Sequence, residues 1–267
     1  MKDATFFLSQ EQYDWLAQEL PGPISGTKPT IPNNELLNGV LYVLKTGCRW
    51  QDIPASICVH GYASCWRRLN FWRKRGAIKL VWQQVLLKLD HQGELDLSSL
   101  GNIDGSLIQA PKVQGTGYSG KHHRIGTNMS LVTERNGLPL ANVLTQGNRH
   151  DQYSAVATMN KIRVGAKRRV SELNADKGYD STTFRKHLKQ RGIKANIPER
   201  TYKHRKKRGR KPRYDKQTAK FRAFTERTNA WLKYFRKLRY RWERKKCMFQ
   251  AVVDLACLLI CLRRVEI

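Results

Sequence analysis

The chain reads as α/β, a mixed sheet flanked by helices, preceded by an all-α segment of helix-turn-helix-like form. Three observations predict this. Apolar residues over 1–95 recur at helical spacing between capping residues, with no strand-like alternation. Near residue 95 the pattern changes to short apolar runs, two of which flank Asn136-Gly137, a strong hairpin signal. Beyond residue 150, strand-like and helical runs alternate.

Taken in order, Ser9 with Gln12 forms a capping-box pattern that opens a helix to about Leu20, ended by Pro21-Gly22-Pro23. After a loop to Pro32, Asn33 or Asn34 caps a helix carrying Leu37, Val40, Leu41 and Leu44, closed by Gly47. Tyr62 to Lys74 is a third helix, with Tyr62, Trp66, Leu69 and Trp72 on or near one face and arginines on the rest. Ala77 to Leu89 is a fourth. Leu100 to Gln109 is strand-like, and Asn128 to Glu134 and Leu138 to Thr145 form the hairpin. Tyr153 to Ile162 is a helix with Asp151 as its expected cap. Val170 to Ala175 is a strand, and Ser181 caps a helix to Arg191. Lys194 to Pro198 is a short strand, residues 199–216 are a charge run, and two helices finish the chain. The order is compatible with RNase H-like folds and with many other α/β domains.

Charge bounds the partner. Lysine and arginine number 50 against 21 acids in 267 residues, a net charge of +29. A polyanion is the expected partner, nucleic acid before an acidic membrane surface. No run reaches the about 18 apolar residues that a spanning helix needs; Val252 to Leu262 is too short and contains Asp254. The N-terminus lacks a signal-peptide pattern, so a cytoplasmic protein is expected. Cys48, Cys58, Cys65 and His60 cluster without a Cys-x-x-Cys pair, so all six cysteines read as reduced thiols rather than zinc ligands.

Against this basic background three acids stand out in the order Asp–Asp–Glu: Asp104, Asp176 and Glu226. The first two follow strand-like runs, at strand ends where ligand-binding residues collect in open α/β sheets; each alone is equally a turn residue. On a helix over 219–238, Phe221, Phe224, Thr228, Trp231, Phe235 and Leu238 form the stripe expected to face the core. Glu226 falls opposite, with Arg222, Asn229 and Lys233. That side is either a solvated face with an Arg222–Glu226 pair or a metal-binding carboxylate flanked by DNA-holding groups; periodicity does not separate the two.

Other basic features are read the same way. Arg67, Arg68, Arg73 and Lys74 crowd the third helix as on a recognition helix, or on an ordinary basic face. Ten Lys/Arg lie between Arg200 and Lys216. Arg208-Gly209-Arg210 there resembles a minor-groove hook, though a loop tracking phosphates is the simpler reading. Phe235 reads as core, and Trp242 is left between core and stacking on an unpaired base. Gly115 to Lys121 lacks a phosphate-loop pattern and reads as a flexible loop near the acids.

From Asp104 onward the chain resembles DDE transposases of bacterial insertion sequences, of the group called "insertion sequence five". The matching segments are Ile103-Asp104-Gly105-Ser106, Gly147-Asn148-Arg149-His150-Asp151, Ala175-Asp176-Lys177-Gly178-Tyr179-Asp180, Glu226 to Lys233, and Phe235-Arg236-Lys237-Leu238-Arg239 with Tyr240 to Glu243. Residues 8–89, including Gly47-Cys48-Arg49-Trp50-Gln51-Asp52-Ile53-Pro54, resemble the helical N-terminal domain of the same group. The resemblance implies an RNase H-like catalytic domain over 96–267 with a basic loop at 199–216, after a helical DNA-binding domain over 1–95. It implies that Asp104, Asp176 and Glu226 hold Mg²⁺, for which Mn²⁺ substitutes. It also implies that Arg222 and Lys233 contact the element end, with Arg236 and Lys237 among further DNA contacts. Ala219 stands where some relatives carry Tyr, and no role passes to it. For His150 the resemblance leaves a catalytic role open, and for the whole chain it implies a bacterial, nucleoid-associated protein.

The expected reaction is cleavage at terminal inverted repeats and joining to target DNA, carried out on double-stranded DNA by a homodimer or higher oligomer. The rivals are a repressor that no longer catalyses, a nuclease of the same fold without strand transfer, and an RNA binder.

Overall fold

A computed structural model describes residues 8–22, 31–167, 169–201 and 212–267. The helices among them are α1 (Gln10–Glu19), α2 (Asn33–Thr46), α3 (Gly61–Lys74), α4 (Ala77–His91), α5 (Gln152–Met159), α6 (Thr182–Gln190), α7 (Lys216–Ala219), α8 (Arg222–Tyr234) and α9 (Lys246–Leu262). The strands are β1 (Leu100–Gln109), β2 (Gly117–Ser119), β3 (Arg124–Glu134), β4 (Pro139–Gln146), β5 (Glu172–Asn174) and β6 (Lys194–Asn196). Two compact units result: residues 90–230, and residues 1–89 with 231–267. α8 crosses the boundary in sequence.

The sheet belongs to the first of these units. Its order is β2-β3-β1-β5-β6, with β4 also paired to β3. β1, β3 and β4 run antiparallel, while β1, β5 and β6 run parallel. Parallel neighbours need a crossover between them, and α6 supplies the one from β5 to β6. β3 is buried at nine consecutive positions, Gly126 to Glu134, as expected of a strand covered on both faces. This is the RNase H-like arrangement, antiparallel β1, β3 and β4 followed by parallel β5 and β6, with the short β2 added beside β3.

Three expectations are corrected. Gly115 to Lys121 is not a plain loop: Gly117–Ser119 form β2, paired to the start of β3. The fit is close, because a Cβ on Gly117 would lie 2.4 Å from the Asn148 side chain. Asp151 begins α5 but makes no side-chain cap. Neither Asn33 nor Asn34 caps α2, whose N-cap is Pro32. The Asn33 amide instead donates to the carbonyls of Ala17 and Leu20, tying α1 to α2.

In the helical unit α1 opens with the expected capping box and α2 closes on Gly47 in the left-handed region, φ 72°. Residues 231–267 read from sequence as part of the catalytic half. By contact they group with α1 to α4, and α9, buried at 14 of its 17 positions, has neighbours on every side. No helix among the described residues is long and apolar enough to cross a membrane. All six cysteines are free thiols, with Cys65 Sγ 3.0 Å from Cys58 Sγ.

Candidate active site

Asp104 is the fifth residue of β1 rather than its end, and the strand continues to Gln109 along β3. What ends near it is the parallel pairing. β1 meets β5 only over Leu100↔Glu172 to Asn102↔Asn174. Asp104 and Asp176 each lie two residues past the last pair, at one level of the sheet.

A ladder of buried asparagines sets that level. Asn174 Nδ2 donates to Asn102 Oδ1 at 2.9 Å, and Asn196 Nδ2 donates to Asn174 Oδ1 at 2.8 Å. The ladder continues into the segment that leads to Glu226. Asn174 Nδ2 also donates to the Thr218 carbonyl at 2.7 Å, and Asn196 Nδ2 to the Asp215 carbonyl at 2.9 Å. Side chains two apart on a strand share a face, so Asp104 stands on the face that carries Asn102. Sequence reading missed these asparagines. Their signal was present, one polar residue at matching places in each of three apolar runs.

α8 reaches the site by docking on the hairpin. Thr225 Oγ1 lies 2.7 Å from Thr133 Oγ1, Thr228 Oγ1 donates to the Gly137 carbonyl at 2.6 Å, and Arg227 donates to the Asn136 carbonyl at 3.1 Å. Gly137, φ 97°, must lack a side chain, because a Cβ there would sit 2.8 Å from Thr228 Oγ1. The buried positions of α8 are therefore Thr225, Thr228, Asn229 and Leu232; of the expected stripe, Thr228 and, beyond the helix, Phe235 and Leu238 are buried. Trp231 is exposed. Phe221 and Phe224 are half-buried and covered by the guanidinium groups of Arg135 and Arg227.

This docking brings Glu226 to the aspartates. Arg222 lies between them, with Nη1 3.9 Å from Asp176 Oδ1 and Nη2 3.9 Å from Glu226 Oε1. Asn229, one turn on, donates from Nδ2 to Asp104 Oδ2 at 3.1 Å. Asn229 is only 6% exposed, and its Oδ1 has no hydrogen-bond partner among the described residues. Asp151 is a fourth acid. Its carboxylate accepts from Asn128 and rests on the bare Cα of Gly105, where a Cβ would lie 2.4 Å from Oδ1. Burial pushes the Asp104 carboxyl above its ordinary value, the Gly105 N–H and Arg222 oppose this, and Asp151 and Glu226 add to it. Burial first, then Asp151 and Asp104, raise the Tyr179 phenol well above its ordinary value. His150 is exposed, with its ring 6.5 Å from that of Tyr153.

The donor set is hard carboxylate oxygen, which suits Mg²⁺ or Mn²⁺ rather than zinc. The Arg222 guanidinium stands as a cation between two of the acids. Asp176 and Glu226 have side chains 49% and 62% exposed, and Asp176 Oδ1 accepts from the Lys177 N–H at 2.6 Å. As placed, no three His, Cys, Asp or Glu side chains among the described residues converge as a metal cluster. In the chemistry of their donors these residues fit a divalent cation.

A sequence profile described as "Transposase DDE domain" matches residues 97–261, and one described as "Putative transposase of IS4/5 family" matches residues 8–85. The chain belongs to the DDE transposases. It is 36% identical over 152 residues to a Burkholderia cepacia protein named "Putative transposase for insertion sequence element IS402", a match over 54% of this chain and 67% of that one. It is 38% identical over 80 residues to the "Insertion element IS402 uncharacterized 16.2 kDa protein" of the same organism, over 30% of this chain and 54% of that one. Membership in this family of insertion-sequence transposases implies DNA as substrate and a divalent metal.

The basic residues divide. Arg67, Lys74 and Arg236 are exposed, and Arg73 is half-buried with Nε 3.0 Å from Asn70 Oδ1. Arg68, expected on the same basic face, is 6% exposed and donates to the Asn33 side chain and the Ile31 carbonyl. Lys237, expected among the DNA contacts, is 2% exposed, pairs with Glu243 at 3.1 Å and donates to the Cys48 carbonyl at 3.2 Å. Both are structural cations. Lys233 is half-buried. Arg208 and Arg210 lie outside the described residues.

Proposed function

We propose that this transposase binds the terminal inverted repeats of its element, cleaves DNA there and joins the freed ends to target DNA. The observation that carries the reading is that three acids from distant parts of the chain are each contacted by one face of α8, Asp176 and Glu226 by Arg222 and Asp104 by Asn229. Asp104, Asp176 and Glu226 would hold Mg²⁺, with Mn²⁺ as substitute. The bound metal supplies activation of the attacking oxygen and stabilisation of the leaving 3′-oxygen. Asp104 is held for this by Asn229, and Glu226 by the threonine contacts of α8. Arg222 sits within reach of both exposed acids and is suited to a DNA phosphate once they turn to a cation.

Sequence recognition is assigned to the N-terminal helices, with Arg67, Arg73 and Lys74 of α3 and Arg236 near the end of the chain on phosphates. Synapsis of two ends calls for a dimer or larger assembly on double-stranded DNA, in the bacterial cytoplasm. Family membership makes an RNA binder the poorer reading.

The test is cleavage of a supercoiled plasmid carrying the element ends, with Mg²⁺ or Mn²⁺, wild type beside Asp176→Ala. End-specific cleavage should vanish in the variant while duplex binding persists, because binding draws on the net charge of +29. Binding without cleavage by the wild type across metals and salts would overturn the reading and favour a repressor. Cleavage without paired-end products would favour a plain nuclease.

A further inference from the structure

The helical unit contains an open cleft of about 420 Å³ whose walls include three indoles, Trp50, Trp66 and Trp242. Trp50 and Trp66 are half-buried, whereas Trp242 is 59% exposed and leans on Tyr240 with ring centroids 4.5 Å apart. Core tryptophans behave differently here. Trp72 is fully buried and donates from Nε1 to the Pro21 carbonyl at 3.0 Å. Leaving three large aromatic side chains around an open space forgoes the burial that would stabilise them.

The polar lining defines what the space accepts. Beneath the indoles lies the buried Lys237–Glu243 pair, with Lys237 Nζ 5.9 Å from the Trp50 ring centroid. Exposed Arg244 and Lys245 also line the cleft, and no acid among the described residues pairs with either. Arg49, also there, pairs with Asp52 at 3.0 Å. Aromatic faces take a flat ring by stacking, and the cations beside them take an anion attached to that ring. A nucleobase with its phosphate has this form.

We propose that the Trp50–Trp66–Trp242 cleft captures an unpaired nucleobase of a DNA strand, with the adjoining phosphate on Arg244 and Lys245. The proposal rests on the DNA-processing reading above. A base inside a duplex is already stacked and does not reach such a cleft. A staggered break at an element end leaves unpaired bases, and holding one keeps the cut end on the protein.

The experiment measures anisotropy of the full chain with three labelled DNAs sharing one duplex: blunt, with a three-thymidine overhang, and with an abasic overhang of equal length. The thymidine overhang should bind about tenfold tighter than the abasic one. Trp242→Ala should erase that difference and Trp242→Phe should keep most of it. Because Trp242 is exposed, both variants should fold, which circular dichroism checks. Equal affinity for thymidine and abasic overhangs would overturn base capture, leaving phosphate attraction alone. A preference that survives both Trp242→Ala and Trp66→Ala would overturn the assignment to this cleft. Failure to bind even the blunt duplex would instead sink the DNA-processing reading.

Discussion

Asn229 shows how one side chain joins two parts of the site. It lies one turn from Glu226 on α8 and holds Asp104 on β1. Such supporting residues affect metal affinity or activity about 10- to 100-fold. Asn229→Ala should therefore weaken Mn²⁺ binding and end cleavage by about that factor, with blunt-duplex affinity unchanged; cleavage at wild-type metal dependence would refute the positioning role. Among the cations, exposure separates contact from support. Arg67→Ala should lower the slope of log K against log salt by about 1. Lys237→Met should leave the slope as it was but strand the buried Glu243 carboxylate, at about 3–5 kcal/mol of stability in urea unfolding.

The asparagine ladder and the hairpin decide geometry at the scale of whole elements. Asn102, Asn174 and Asn196 join β1, β5 and β6 and keep Asp104 level with Asp176. Asn174→Leu would leave Asn102 Oδ1 and the Thr218 carbonyl without their partner and would take one of the hydrogen bonds of Asn196. Each buried orphan costs about 1–3 kcal/mol, so equilibrium unfolding should show a loss of at least about 2 kcal/mol; a neutral substitution would mean that the ladder does not set the register. The hairpin turn acts on α8. Gly137→Ala places a methyl against Thr228 and strains a φ of 97°. It should reduce cleavage more than stability, because the hydrogen bonds it disturbs are those that seat Glu226.

Net charge governs the molecule as a whole. At +29 the free protein repels itself, which destabilises its compact state, while the same charge draws in DNA. Added salt therefore has opposite effects. Raising it from about 50 to about 200 mM should raise the Tm of the free protein yet weaken duplex binding by about 10³-fold or more. A binding constant indifferent to salt would exclude phosphate contact as the main source of affinity. At this scale too, residues 231–267 leave the sheet and cluster with the N-terminal helices. The polypeptide that ends the profile match at 261 is thus packed with the unit that begins the chain.

The sequence by itself determined the α/β class and the order of most elements, though not β2, because each signal is local. Periodicity marks a helix or strand, Asn136-Gly137 marks a turn, and Ser9 and Ser181 mark helix starts through bonds within three residues. Tertiary structure alone decided the rest. Arg67 and Arg68 are chemically alike and adjacent, and only the arrival of Asn33 and the Ile31 carbonyl makes the second a buried strut. Of the stripe expected to face the core, Thr228, Phe235 and Leu238 are buried but Trp231 is exposed. Thr225 and Asn229 are buried as well, because the hairpin and Asp104 offered hydrogen bonds that a pattern of apolar residues does not record. Asn229 and Asp151 became part of the site because β1 and β3 came to meet them from 125 and 23 residues away. Burial of a polar group depends on a partner, and partners this far apart in sequence are chosen by packing.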